Sequence, residues 1–187
     1  SEEDIMKLTE KFGVKPFDTD PRKRYYLRPT RIVTTSGDVS HPEEMLKDRA
    51  GQISFDSTGC TILRKGGMIL VDFGREIHGS VRLLVQWTKP KRATVNVRFG
   101  ESVTEALTPT PEKGSTNDHA NRDFRLTLSG FSGTDTNESG FRFAAIELAD
   151  GEEIALKAIE GVLIIRDIEY VGSFGCSDPE ITKIYDT

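Results

Sequence analysis

Hydrophobic and polar side chains alternate along most of the chain after residue 60, as in strands with one buried and one solvated face. The alternation is clearest in residues 93–99, and it recurs in residues 81–87. Residues 68–73 are almost continuously apolar, which favours an interior strand. Gly74 and Gly79 predict a turn between these last two strands.

Other apolar segments bring the total to about eight to ten predicted strands. They are residues 25–27 and 31–33 on either side of Pro29, 124–128, 141–148, 154–159, 162–166 and 168–174. The apolar phase changes between Phe143 and Ile146, which predicts a bulge. The fold class is therefore all-β: an antiparallel β-sandwich of the jelly-roll or concanavalin-like type.

Helical patterns are confined to three short segments. Apolar residues at helical spacing predict a leading helix in residues 1–12. A capping box beginning at Ser40 predicts one or two helical turns over residues 42–48. A second capping box, in residues 177–180, precedes an apolar helical stripe.

The chain thus divides into an N-terminal helix and linker (1–19), a β-sandwich domain (20–176) and the start of a helical segment (177–187). A helix as short as the last one gains little by forming alone. We expect it to begin a following helical domain, the alternative being a simple C-terminal cap.

Composition narrows the functional classes. The 187 residues are 36% hydrophobic and 29% charged, with a net charge of −5, which disfavours a general nucleic-acid binder. No apolar run approaches the roughly 18 residues of a membrane-spanning helix, and no signal peptide is recognisable. Cys60 and Cys176 lie far apart, so the sequence indicates neither a zinc site nor a disulfide framework.

The polar stretch from Gly100 to Asp123 is the main candidate for chemistry, because loops of this length are usually functional or mobile. Its acids could serve a calcium site, a sugar site or an acid/base pair, but the spacing matches no calcium loop and no cofactor is predicted. The alternative is that Glu101, Arg122 and Asp123 form ion pairs that hold the ends of the loop. The candidate site residues are Glu101, Asn117, Asp118, His119, Arg122 and Asp123.

Two further features have structural interpretations. Asp72 precedes the predicted turn at Gly74, and we expect it to cap that turn. Trp87, Tyr25 and Tyr26 could stack on a sugar ring, yet Trp87 is in phase with the apolar residues of its strand. We therefore expect Trp87 in the core.

Five segments in order give the chain a resemblance to bacterial α-L-rhamnosidases, over roughly residues 20–187. They are VDFGREIHGSVRLLV (71–85), VRFGESVTEAL (97–107), EKGSTNDHANRDF (112–124), GFRFAAIEL (140–148) and IRDIEYVGSFGCSDPEITKIYDT (165–187). In that family of glycoside hydrolases, β-sandwich domains precede an α/α barrel that carries the catalytic acids, and hydrolysis of terminal L-rhamnosides inverts the anomeric configuration. The family's catalytic motif is absent from this chain.

The resemblance implies a non-catalytic β-sandwich that supports a barrel in the same polypeptide. It leaves open a carbohydrate-binding module that holds rhamnose or a related sugar through Tyr25, Tyr26 or the long loop, and a stand-alone enzyme using Glu101 with Asp118 or Asp123. No nucleic acid or membrane partner is expected. The compartment is not determined; enzymes of this class usually meet polysaccharide outside the cytoplasm, which favours a periplasmic or secreted protein.

Overall fold

The computed structural model describes residue 11 and residues 22–48, 53, 58–110, 121–169 and 171–185. The strands are β1 Arg22–Leu27, β2 Arg31–Ser36, β3 Val39–Ser40, β4 Thr61–Arg64, β5 Met68–Lys89, β6 Arg92–Gly100, β7 Asp123–Ser129, β8 Ser132–Asp135, β9 Ser139–Asp150 and β10 Glu153–Arg166. The helices are a 3₁₀ helix at Pro42–Leu46, α1 at Val103–Leu107 and α2 at Pro179–Tyr185. The chain divides into two compact units, one comprising residues 24–165 and the other containing α2.

The pairings from β2 to β10 are antiparallel, which confirms the predicted all-β sandwich. The main strand order is β3-β4-β10-β5-β9-β6-β7, with β2 and β8 added beside β5 and β1 beside β10. The first half of β5 pairs with β2 and β9, and the second half pairs with β8 and β10. One strand thus takes part in both layers of the sandwich.

The length of β5 corrects one prediction. Its 22 residues include both predicted strands without an intervening turn. Gly74 has a φ of +82°, and the register with β9 jumps there from Asp72 to Ile77. Gly79 lies so close to β10 that a Cβ would come within 1.8 Å of the Val162 carbonyl oxygen. The two glycines therefore mark an irregularity within one strand and a close backbone approach, not a hairpin turn.

The main core lies between the two layers and takes side chains from β4, β5, β6, β7, β9 and β10. Val95, Val97 and Phe99 of β6 point into it, as their alternation predicts. Phe99 stacks on Phe141 with 3.9 Å between ring centroids. Burying these side chains is the principal favourable term in folding.

The predicted bulge in β9 is wrong. The register with β5 continues without a break from Phe143 to Glu147. The apolar phase changes because both faces of β9 are buried: Ala144 and Ile146 belong to the main core, whereas Phe143 and Ala145 pack under α1. A strand covered on both faces loses the simple alternation of a half-exposed strand.

The short helical segments are partly as predicted. The 3₁₀ helix falls within the predicted turns at 42–48, but its N-cap is His41, which makes no side-chain cap. The hydroxyl of Ser40 accepts a hydrogen bond from Arg64 instead, so the predicted capping box is wrong. Helix α2 confirms the last predicted helix, with the Asp178 carboxylate accepting the Glu180 N–H at 3.0 Å.

Three other predictions need comment. The two predicted strands between residues 154 and 166 form the single strand β10. The described residues of 168–174 form no strand, so the predicted final strand is wrong. The leading helix of residues 1–12 falls outside the described residues, apart from Lys11.

Candidate functional site

The predicted loop from Gly100 to Asp123 is only partly described, and it contains helix α1. Asn117, Asp118 and His119 lie outside the described residues, so their roles stay predictions. The sequence did contain the signal for α1, because Ser102 and Glu105 have capping-box spacing.

One of the two hydrogen bonds of that motif is present in α1, and the other is made by the residue before the N-cap. The Ser102 hydroxyl accepts the Glu105 N–H at 3.2 Å. The Glu105 carboxylate in turn accepts the Glu101 N–H at 2.9 Å. Glu101 therefore contributes its backbone here, and its own side chain is exposed.

Arg122 is the most buried of the predicted site residues, with 2% of its surface exposed. Its guanidinium donates to the carbonyl oxygens of Glu105 and Thr108, at 3.0 and 3.2 Å. Its Nε lies 3.8 Å from the carboxylate of Glu105, which is also buried. Ion pairing at the base of the loop was predicted, but the acid is Glu105 rather than Glu101.

Asp123 opens strand β7 and faces away from the main core. One carboxylate oxygen accepts the N–H of Thr110 at 3.1 Å. This hydrogen bond thus joins the two chain segments that flank residues 111–120. Arg122 and Asp123 are adjacent in sequence, but they bind different parts of the preceding chain: Arg122 binds the carbonyl oxygens of Glu105 and Thr108, and Asp123 binds the N–H of Thr110.

Asp123 also lines a polar groove of about 580 Å³ on the outer face of β6, β7 and β9. Residues opposite one another in the register form its floor: Asn96 lies between Glu147 and Arg125, and Arg98 pairs with Asp123. The other lining residues are Pro109, Thr110 and Asn121.

The side chain of Arg98 is held in place in this groove by Glu147. It is nearly buried, and both terminal guanidinium nitrogens lie 3.2 Å from one carboxylate oxygen of Glu147. Arg125 is exposed. The groove therefore presents donors and acceptors of both charge signs, which suits a neutral, hydroxyl-rich ligand better than a polyanion.

A second charged cluster surrounds Asp72, whose side chain is 1% exposed. Its carboxylate accepts the Gly74 N–H at 2.7 Å, so the predicted contact forms, although Gly74 lies within β5 and not in a turn. It also accepts from Arg31 Nε at 2.9 Å and from Arg142 Nε and Nη2 at 2.9 and 3.0 Å. The hydrogen bond from Arg142 is the main reason that the pKa of Asp72 falls from 3.8 to about 2, with the Gly74 and Arg31 bonds adding to it and burial opposing it.

Glu76 lies near both the buried Glu105 at the base of the loop and Arg142 of the Asp72 cluster. Burial is the main cause that raises the pKa of its carboxyl group, and the charges of Glu101 and Glu105 add to that effect. The charge of Arg142 opposes it. A carboxyl group with a raised pKa in a charged environment is one mark of acid/base sites, but structural networks produce it too.

The described residues contain no group of three or more His, Cys, Asp or Glu side chains that could hold a metal ion. Among the same residues, no helix is long and apolar enough to cross a membrane. Cys60 is buried and Cys176 is exposed, and neither takes part in a disulfide bond.

The predicted place of Trp87 in the core is wrong. Val85 pairs with Leu156 and Trp87 pairs with Ala155, so Gln86 is an extra residue in β5. This bulge reverses the alternation and turns Trp87 to the outer face, where it is half-buried beside a cavity of about 360 Å³. Nothing in the sequence marks the bulge, so a strict period of two misplaces the side chain.

The two tyrosines considered for sugar stacking are exposed, at 43% for Tyr25 and 51% for Tyr26. The guanidinium of Arg82 lies 4.6 Å from the centroid of the Tyr26 ring. Arg82 is itself held by two hydrogen bonds to Asp135. One ring is therefore already engaged by a neighbouring cation.

Several solved structures are similar to this chain, and one of the following three has a TM-score above 0.5. A rhamnosidase from Klebsiella oxytoca with rhamnose bound has a TM-score of 0.63 at 18% identity, covering 87% of this chain and 33% of its own. A GH78 family rhamnosidase from Bacillus sp. GL1 has a TM-score of 0.49 at 16% identity, covering 73% and 14%. A fucose binding module from Streptococcus pneumoniae has 0.44 at 16%, covering 74% and 95%. This chain spans about a third of the Klebsiella enzyme.

A comparison with curated proteins gives no match. The family model described as the bacterial alpha-L-rhamnosidase concanavalin-like domain matches residues 63–165, more than half of the chain. The matched segment begins in β4 and ends in β10, so it includes the two longest strands and the polar groove. The chain belongs to the bacterial α-L-rhamnosidase concanavalin-like domain family.

Proposed function

We propose that this chain is a non-catalytic β-sandwich domain of an enzyme that hydrolyses terminal L-rhamnosides, and that it supports a catalytic α/α barrel in the same polypeptide. The observation that carries the proposal is the family match over residues 63–165. The short share of the Klebsiella enzyme that this chain spans supports it, because two thirds of that enzyme has no counterpart here.

The use of the buried charges also favours a supporting role. Glu105 and Arg122 hold the base of the loop, and Asp72 is enclosed by two arginines and a backbone N–H. An acid/base catalyst needs a carboxyl group with a pKa near the working pH. The pKa of Asp72, at about 2, lies far from that range.

Helix α2 adds a second line of support. Its apolar stripe is exposed, with Ile181 at 48%, Ile184 at 75% and Tyr185 at 53%. Burial of such a stripe is what stabilises a short amphipathic helix. A helical domain that continues from α2 would supply that burial.

Two measurements test the proposal together. We expect the 187-residue chain to release no p-nitrophenol from p-nitrophenyl α-L-rhamnoside, and the full-length gene product to release it. An antibody against the chain should detect a native product several times heavier than 20.8 kDa. Turnover by the chain alone would contradict the non-catalytic role, and a native mass near 20.8 kDa would contradict the barrel.

Carbohydrate binding is a second candidate function, favoured by the polar groove that contains Asp123, Asn96 and Arg98. The exposed Arg125 is the variant of choice, because its loss should leave the fold intact. NMR titration of the chain with L-rhamnose tests this groove: saturable shifts of its residues, weakened several-fold in Arg125→Ala, would place the sugar there. Full-length enzyme carrying Asp123→Asn would test a role at the rim of the active site through its KM for rhamnosides.

A further inference from the structure

The cavity beside Trp87 lies on the outer face of the layer formed by β3, β4, β10 and β5. Residues opposite one another in the register form a row across these strands: Ser40, Ile62, Ala155 and Trp87. The row includes the apolar side chain of Ile62 and the indole of Trp87, both half-buried. The Gln86 bulge is what brings the indole to this face.

Polar groups surround this apolar floor. His41 and Glu44 come from the start of the 3₁₀ helix, and Thr58 comes from the chain before β4. The His41 carbonyl oxygen accepts a hydrogen bond from the Thr61 hydroxyl at 2.8 Å. The Thr58 carbonyl oxygen accepts one from Lys157 Nζ at 2.7 Å. These bonds tie both walls to the sheet, so the cavity is formed without a ligand.

We propose that this cavity binds one neutral monosaccharide unit, with an apolar face of the sugar ring on the indole and its hydroxyl groups on His41 and Glu44. The proposal rests on the second candidate function, carbohydrate binding, and it assigns the sugar to the Trp87 cavity rather than to the polar groove.

Size and charge select this class of ligand. The cavity volume of about 360 Å³ lies at the lower end of the range for small-molecule sites, which suits a single ring. Lys47 is paired with Glu44 and Lys89 with Glu153, so carboxylates balance two of the nearby ammonium groups, which favours a neutral ligand over a phosphate. Lys89 Nζ lies over the indole, 5.0 Å from the ring centroid, so the proposed stacking uses the opposite face of the ring. An aromatic floor with a few polar groups around it gives both burial and orientation.

Trp87 is the single tryptophan of the chain, so its fluorescence reports on the cavity directly. We expect titration with L-rhamnose, or with the methyl glycosides of D-galactose or D-glucose, to give a saturable fluorescence change for at least one sugar. Calorimetry on the same sample should return the same dissociation constant.

Matched variants locate the site. We expect Trp87→Ala to weaken binding by more than tenfold and Trp87→Phe, which keeps an aromatic floor, to weaken it only a few-fold by calorimetry. His41→Gly should weaken binding by up to about tenfold through loss of one hydrogen bond. Glycine suits the φ of +55° at this position, so the fold should be kept. Arg75→Ala, at an exposed position of β5 that lines neither the cavity nor the polar groove, is the control and should bind as the parent does.

Each other outcome overturns the proposal in a distinguishable way. Binding with unchanged Trp87 fluorescence, or binding lost in Arg125→Ala but kept in Trp87→Ala, would place the sugar elsewhere and leave carbohydrate binding standing. Binding of none of the three sugars by calorimetry would overturn both the site and the second candidate function. Neither result bears on the supporting role, which p-nitrophenyl rhamnoside turnover tests separately.

Discussion

Two charged clusters in this domain use the same chemistry in different surroundings. In the loop-base cluster of Glu105 and Arg122, both partners are buried, with 8% and 2% of their surface exposed. In the Asp72 cluster, the carboxylate is buried but the side chains of Arg31 and Arg142 are 58% and 40% exposed. The first cluster hides two opposite charges from water, whereas the second hides one.

The difference in burial determines how much each cluster contributes to the stability of the fold. Removing one partner of a fully buried pair leaves an uncompensated charge that water cannot reach, which is strongly destabilising. When one partner is removed from a carboxylate held by half-exposed arginines, the loss of stability is smaller, because solvent screens those cations and can replace them. Both clusters thus hold the backbone, but we expect the fold to depend far more on the loop-base cluster.

The largest effect should come from Arg122→Met. This change keeps the volume but removes the hydrogen bonds to the Glu105 and Thr108 carbonyls and takes away the guanidinium beside the buried Glu105 carboxylate. We expect the free energy of unfolding to fall by about 3–5 kcal/mol. Urea denaturation at neutral pH measures the loss.

Two further variants serve as controls for Arg122→Met. Arg125→Met, at an exposed position of β7, should change stability by less than about 0.5 kcal/mol. Adding Glu105→Gln to Arg122→Met should recover part of the loss, since a neutral amide is cheaper to bury than a carboxylate. Equal losses in Arg122→Met and Arg125→Met would refute the burial argument.

A smaller effect is expected from Asp72→Asn. The pKa of Asp72 is about 2 in the folded protein against an ordinary value of 3.8, so its stabilisation is complete above pH 3.8 and is lost as the pH falls through about 2. We expect a loss of about 1–2 kcal/mol at neutral pH, after allowance for solvent screening of the arginines. Urea midpoints at a series of pH values measure it.

The sign of the pH dependence is the critical part of this test. Below pH 2 the stabilities of Asp72→Asn and the parent should converge, because the carboxyl group is then protonated in both folded and unfolded chains. Asp135→Asn breaks an exposed ion pair with Arg82 and serves as control, with a loss of about 0–1 kcal/mol. A gap between Asp72→Asn and parent that persists unchanged at low pH would show that the carboxylate charge is not responsible.

The sequence predicts most of the strands, and its errors have a common cause. Alternation identifies β6 and β7 because each has one face in the core and the other outward. It fails in β9 and at Trp87, where a strand is covered on both faces or carries an extra residue. Both effects arise from packing between distant segments, which no local pattern contains.

The candidate site was predicted less well. The sequence indicated the polar loop and ion pairs at its base. Arg122 and Asp123 do form hydrogen bonds to the backbone at the base of this loop. It missed Glu105 as the partner, although the Ser102-to-Glu105 spacing signalled α1. It could not find Arg98, Asn96 and Glu147 as neighbours, because strand register brings together residues about 50 positions apart.

The smallest effect should come from Glu76→Gln, which tests whether the two clusters influence one another. Burial, followed by the charges of Glu101 and Glu105, raises the pKa of Glu76, while Arg142 of the Asp72 cluster lowers it. A carboxyl group with a raised pKa in the folded state costs stability once it ionises. We therefore expect Glu76→Gln to stabilise the domain at neutral pH by less than about 0.5 kcal/mol, because solvent still reaches much of the side chain and reduces the effect of its partial burial.

The gain in Glu76→Gln should disappear as the pH falls below the ordinary glutamate pKa of 4.5, where the parent carboxyl group is protonated in both states. In an Arg142→Gln background the gain should be larger, because the charge of Arg142, which favours the ionised form of Glu76, has been removed. Thermal unfolding of the four variants of this cycle, at neutral pH and below pH 4.5, measures the coupling. A gain that is the same with and without Arg142 would show that the Asp72 cluster does not act on Glu76, and that the two clusters are energetically independent.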